Sequence, residues 1–239
     1  MSAQRGNILF LILLAVVLFA ALSYAVTQGT RGGGNNAAAE KMQSAASEWI
    51  QYATLLQNTI NRLMLTNDCK DTDISFENNT VTTYVNASAP ARCKLFDPAG
   101  GGLPFKTIPS DWLNTSYAGS YDYGYFGVYD QTSITNLGTN PISSGSVGAG
   151  IDLVMLIPYL NDNFCLAINK MAGVNIIPAP VIKIADINDS RHFKGYYWNL
   201  NAGYGFGGLV LPNYGCMNVA VGNGATVYSN VAYFALLAR

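Results

Sequence analysis

The chain opens with one unbroken apolar run. Residues 8–26 contain only two polar members, Ser23 and Tyr24, and no polar stripe at helical spacing. A helix buried in a water-soluble body usually carries such a stripe, so the pattern predicts a transmembrane helix over 7–26. At 1.5 Å per residue the run is roughly 28 Å long, near the ~30 Å apolar core of a bilayer. Arg5 lies on its N-terminal side, which predicts a cytoplasmic N-terminus and a body carried across the membrane. Residues 27–36 read T-Q-G-T-R-G-G-G-N-N, a Gly-rich break expected to interrupt the helix. From 37 to 66 apolar positions return as Met42, Ala46, Trp49, Ala53, Leu56, Ile60 and Leu63, in steps of four and three. That spacing draws one stripe along an amphipathic helix, and Thr66-Asn67-Asp68 supplies its stop.

Beyond Asp68 the pattern changes to short apolar stretches between Pro, Gly, Asn and Asp clusters, which predicts a β-rich globular body over 67–239. Residues 80–85 and 181–187 favour strands. A second helix is expected over 158–172, with Pro158 in its first turn, Leu160, Phe164, Ile168 and Met171 on its apolar face and Gly173 after its end. Periodicity leaves 151–157 open between helix and strand. Near the C-terminus, Val219-Ala220-Val221, then Gly222-Asn223-Gly224, then residues 225–234 form a hairpin signal. The expected fold class is therefore α+β: an N-terminal transmembrane helix, then an amphipathic helix packed on an antiparallel β-sheet body with a second helix.

Composition narrows the function classes. Charged residues are 11% of the chain and the net charge is −1, against ~25% charged residues in typical soluble domains. The polar surface is built from Asn, Ser, Thr, Tyr and Gly, and there is no Lys/Arg cluster, so no nucleic-acid partner is expected. The four cysteines, Cys69, Cys93, Cys165 and Cys216, are an even count and predict two disulfides in a chain that leaves the cytoplasm. Three connectivities are possible. Cys69–Cys93 with Cys165–Cys216 is favoured, because each bridge then closes a loop within one segment of the body. No C-x-x-C occurs and His192 is the sole histidine, so no metal site is expected.

No catalytic constellation emerges either. His192 follows Asp189-Ser190-Arg191, but sequence neighbours do not form a triad, and there is no G-x-S-x-G elbow. A lone His in a polar loop is expected to be solvated or hydrogen-bonded. Residues 145–150 (G-S-V-G-A-G) lack the Lys-Ser/Thr of a phosphate loop. Asp186, Asn188 and Ser190 are spaced like the start of a calcium loop, but Arg191 and Tyr197 stand where that loop needs Gly and Glu. Asp68, Asp71 and Asp73 read as a solvated turn. Neither enzyme activity nor a cofactor is expected. The tyrosine-rich stretch 117–129 is either a surface patch for subunits or carbohydrate, or, more plainly, a segment whose alternate tyrosines pack on the body.

One resemblance organises these features. Gln4-Arg5-Gly6 followed directly by Asn7-Ile8-Leu9-Phe10-Leu11-Ile12-Leu13-Leu14 resembles the prepilin leader of type IV pilins and type II secretion pseudopilins. The resemblance implies a short basic leader, 1–6, cut by a prepilin peptidase between Gly6 and Asn7. It implies that the retained helix packs against neighbouring subunits through residues such as Leu11, Leu14 and Leu18. The body would stand in the periplasm, with the helix in the inner membrane, or on a cell-surface filament. The Cys165–Cys216 pair would resemble the disulfide-bounded C-terminal region of many pilins. Two positions depart from the family pattern: Asn7 replaces an apolar residue, and Leu11 stands where a Glu is usual. Lack of that Glu resembles minor, tip-located pseudopilins. The expected function is a pilin-like or pseudopilin-like structural subunit, with copies of itself or other pilin-like subunits as partners. The alternative is a secreted or membrane-anchored binding module, either cut after Ala25 by signal peptidase or held uncleaved.

Overall fold

The computed structural model describes residues 8–31, 33–132, 152–177, 192–195, 213–221 and 227–238. The chain divides into two units, Met1–Met42 and Gln43–Arg239.

In the first unit, α1 (Ile8–Arg31) is a helix whose described apolar side chains face solvent on every side, from 48% exposed at Leu14 to 76% at Phe19. Among the described residues, no helix is long and apolar enough to cross a membrane. This corrects the transmembrane helix expected over 7–26. α1 is apolar only as far as Val26. The helix then continues into the polar end Thr27, Gly29, Thr30 and Arg31. A second difference concerns the Gly-rich segment: residues 27–31 close α1, and α2 (Gly33–Thr66) begins two residues later. Each interior Gly costs about 1 kcal/mol relative to Ala, which helix propagated from flanking good formers can absorb.

The stripe read from the sequence is largely the buried face of α2: Ala46, Trp49, Ala53, Leu56, Ile60 and Leu63 are buried, Tyr52 joins them, and Met42 is half-buried. The helix ends as expected. Asn67 N–H donates to Leu63 O, and Asp68 takes the left-handed conformation (φ 52°) typical of a residue just past a helix end. The side-chain ties of α2 run to an irregular segment that follows it, rich in short 3₁₀ turns. Tyr52 hydroxyl donates to Pro104 O (2.9 Å), Lys106 pairs with Glu48 (2.6 Å), and Trp49 and Tyr52 meet Phe126 edge-on. The Cys69–Cys93 disulfide and the Ser75–Lys94 bridge hold that segment together. Residues 80–85 are not a strand. Asn78 Oδ1 accepts from the backbone N–H groups of both Thr80 and Val81, which turns the chain there.

The sheet is antiparallel throughout, in the order β1-β2-β4-β3, with β1 Gly127–Thr132, β2 Asp152–Leu160, β3 Tyr214–Val221 and β4 Val227–Leu237. The hairpin signal corresponds to β3 and β4, which pair from Val221↔Val227 outward. On one face Tyr129, Val154, Leu156, Met217, Val219, Val231 and Tyr233 form a continuous core. Of the open stretch 151–157, residues 152–157 are strand, and every residue of β2 is buried, as a central strand covered on both faces requires. Pro158 lies in this strand rather than in a helix. The β2–β4 register shifts between Ile157 and Leu160, an irregularity that tolerates the missing N–H, and Tyr159 there has φ 61°. The second helix, α3 (Asp162–Met171), starts later than expected, because Asn161 is its N-cap and accepts from Phe164 N–H (2.9 Å). It packs against β3 and β4 and is bonded to β3 by Cys165–Cys216. Asn169 beside that bridge accepts from Cys216 N–H and donates to Cys216 O, both at 2.7 Å, so it occupies backbone groups of an edge strand.

Candidate functional site

Among the described residues of the body, two places bring chemistry-bearing side chains together. One is sealed and one is open.

The sealed one centres on Asp122. Its backbone has φ 59°, a conformation Asp tolerates better than most residues, and the turn there aims the carboxylate inward. Oδ2 accepts from Tyr129 hydroxyl (2.5 Å) and lies 2.8 Å from His192 Nε2. A carboxylate only accepts, so in the neutral imidazole Nε2 carries the hydrogen and Nδ1 is the acceptor. Thr83 Oγ1 stands 3.3 Å from that Nδ1. Tyr84 packs edge-on against the imidazole at 4.3 Å between ring centroids, and its hydroxyl donates to Phe126 O. Phe193 N–H donates to Val128 O (2.8 Å) and fixes the His192 backbone beside β1. Gly127 is required next door: a Cβ there would lie 2.7 Å from Asp122 Oδ2 and would also clash with the Tyr129 ring. Burial, then the adjacent Asp122 charge, pushes the Tyr129 phenol well above its ordinary value, so it stays a neutral donor.

The His192 side chain is 1% exposed and that of Asp122 2%. Of the two states expected for the lone His, solvated or hydrogen-bonded, His192 takes the hydrogen-bonded one, with both ring nitrogens occupied and no open face for a substrate. What the arrangement can do is tie three segments far apart in sequence, around 83, 122–129 and 192, through one carboxylate. Sequence reasoning missed it because the partner lies 70 residues upstream. The available signal was Asp122 itself, a charge set between tyrosines just before a strand.

The open place is a cleft of about 560 Å³ between residues 77–80 and 94–105. Its 94–105 wall is fixed by backbone bonds, and its 77–80 wall by side-chain bonds from Ser75 and Asn78 to the N–H groups of Glu77, Thr80 and Val81. Ser75 N–H donates to Cys93 O and Leu95 N–H to Ser75 O, while Gly101 N–H and Leu103 N–H return to Lys94 O and Leu95 O. Gly100 and Gly101 admit no side chain, since a Cβ on Gly100 would lie 2.8 Å from Ala91 O and one on Gly101 2.8 Å from Leu95 C. Glu77 pairs with Lys94, and Asp97 Oδ1 accepts from Ala99 N–H (2.8 Å). Phe96 and Phe105 meet edge-on at 5.3 Å, both half-buried.

No family model, curated protein or solved structure matches the chain.

Of the residues singled out in the sequence, the cysteines form Cys69–Cys93 and Cys165–Cys216. Leu11, Leu14 and Leu18 are exposed on α1, between 48% and 63%. Gly6 and Asn7 lie outside the described residues, as do residues 145–150, 181–187, Asp186, Asn188, Ser190, Arg191 and Tyr197. Asp71 and Asp73 spend their carboxylates on backbone N–H groups of Thr72 and Lys70. In the tyrosine-rich stretch, Tyr117 and Tyr123 pack against the sheet core beside Tyr159, and Tyr121 is the exposed exception. Packing on the body is therefore what most of these rings do. Two disulfides in one body fit an oxidising compartment, extracellular or periplasmic.

Proposed function

We propose that this chain is a pilin-like or pseudopilin-like structural subunit of a bacterial cell-surface filament or secretion apparatus. In this reading prepilin peptidase cuts between Gly6 and Asn7, and α1 then packs against copies of itself or other pilin-like subunits. The observation that carries the reading is α1. Its large apolar side chains, among them Phe10, Leu11, Leu14, Leu18, Phe19 and Leu22, are all about half or more exposed and point in every direction around the helix. Covering such side chains contributes on the order of 1–2 kcal/mol each. An all-round apolar rod has no reason to present one face to one partner, but it suits a place among several like helices. The disulfide-tied body supports the same reading, since a subunit displayed outside the cytoplasm benefits from covalent bracing.

Cross-linking between copies tests it. With Leu18→Cys in native cells, mild oxidation is expected to give linked species of this chain with itself or with a second pilin-like chain. Monomer alone, from cells in which the protein is abundant, would overturn the proposal.

A further inference from the structure

We propose that the cleft between residues 77–80 and 94–105 is a binding site for a neutral saccharide. This inference stands apart from the subunit reading and does not depend on it. The first argument is preorganisation. The 94–105 wall is pinned by backbone hydrogen bonds and the Cys69–Cys93 bridge, and the 77–80 wall by the Ser75 and Asn78 side chains, which accept from the N–H groups of Glu77, Thr80 and Val81, so a ligand meets a formed cleft rather than a segment it must order. The volume, about 560 Å³, falls in the range of small-molecule sites.

The second argument is the kind of atoms displayed. Glu77 and Lys94 place an acceptor and a donor side by side. Asp97 uses Oδ1 for its own turn, and no described residue bonds its Oδ2. Exposed Asn79 adds an amide, which both donates and accepts. Neighbouring donors and acceptors match vicinal hydroxyls, each of which gives one hydrogen bond and takes others. Phe96 and Phe105 contribute half-buried ring surface to the same cleft, suited to the C–H face of a pyranose.

Charge decides between ligand classes. Glu77 and Lys94 cancel, leaving Asp97 as the surplus charge among the lining residues. One net carboxylate disfavours phosphates, nucleic acid and acidic sugars. The polar rim disfavours an acyl chain, which would leave these groups desolvated without partners.

The test uses the full chain, isotopically labelled, titrated at millimolar concentrations with four neutral oligosaccharide series built from glucose, galactose, mannose and N-acetylglucosamine. Expected are saturable amide shifts confined to 77–80 and 94–105 with at least one series. Two variants, Asn79→Ala at an exposed position and Asp97→Asn, which keeps an oxygen to hold the turn, are each expected to weaken that binding by about tenfold while leaving the thermal midpoint in place. Absence of shifts with all four series would overturn the proposal. So would shifts lying elsewhere, or binding that both folded variants retain in full.

Discussion

Helices α1 and α2 differ sharply in what becomes of their apolar side chains. In α1 the apolar residues fall at every angle, and all those described remain exposed; in α2 they fall every third or fourth position, and that face is buried against the body. Total hydrophobicity therefore does not decide burial within one chain. Angular distribution does, because a folded body offers one surface to a helix and can cover only one stripe. The helix with the fewer apolar residues is the one integrated into the core.

The largest effect is expected for Leu56→Ala in α2, at a fully buried position. It should cost about 2–5 kcal/mol of stability in chemical unfolding, because it leaves a cavity that the body cannot collapse into. A loss below 0.5 kcal/mol, about the size of a surface effect, would mean that α2 is not held as described. Next is Cys69→Ser with Cys93→Ser, which frees the segment carrying the partners of α2. A loss of about 2–4 kcal/mol is expected, mostly through the unfolded chain, with the Cys165–Cys216 bridge still formed by mass analysis.

Alkaline titration gives a smaller, graded effect. Burial raises the phenols of Tyr52 on α2 and of Tyr129 and Tyr233 in the sheet above the ordinary 10.0. The folded chain then holds protons that the unfolded chain releases, so stability is intact below pH 10 and falls as the pH rises above it. For the fully buried Tyr129 the slope approaches about 1.4 kcal/mol per pH unit. Tyr129→Phe should flatten the slope, at the cost of the hydrogen bond to Asp122. An unchanged slope would contradict its burial as a neutral donor. The smallest effect on folding belongs to α1: Leu18→Ser, 60% exposed, should leave the unfolding midpoint within about 0.5 kcal/mol. The same change should reduce assembly if neighbouring subunits cover that face.

What the sequence discloses follows the same logic. The α2 stripe, the β3–β4 hairpin and the disulfide partners are carried by local periodicity, turn residues and loop closure, and all three were legible. Pro158 was misread because a proline signals a helix start only where no neighbouring strand competes, and here a register shift accommodates it in β2. Residues 80–85 were misread because the Asn78 side chain captures two backbone N–H groups that a ladder would need. The reach of α1 was misjudged because apolarity over 8–26 fixes a helix but not a membrane span. The His192–Asp122 pair was invisible in the sequence, since nothing local to residue 192 reports a carboxylate arriving from residue 122. The cleft was equally hidden, being the meeting of two loops that a disulfide and a bridge bring side by side.

The subunit reading turns on whether α1 is kept and where the mature chain begins. Intact mass and N-terminal sequence of the protein from its native cells measure both at once. A pilin-like role requires a chain starting at Asn7, with α1 retained for packing against its copies. A mature chain starting near Val26 would remove the exposed apolar helix and contradict it.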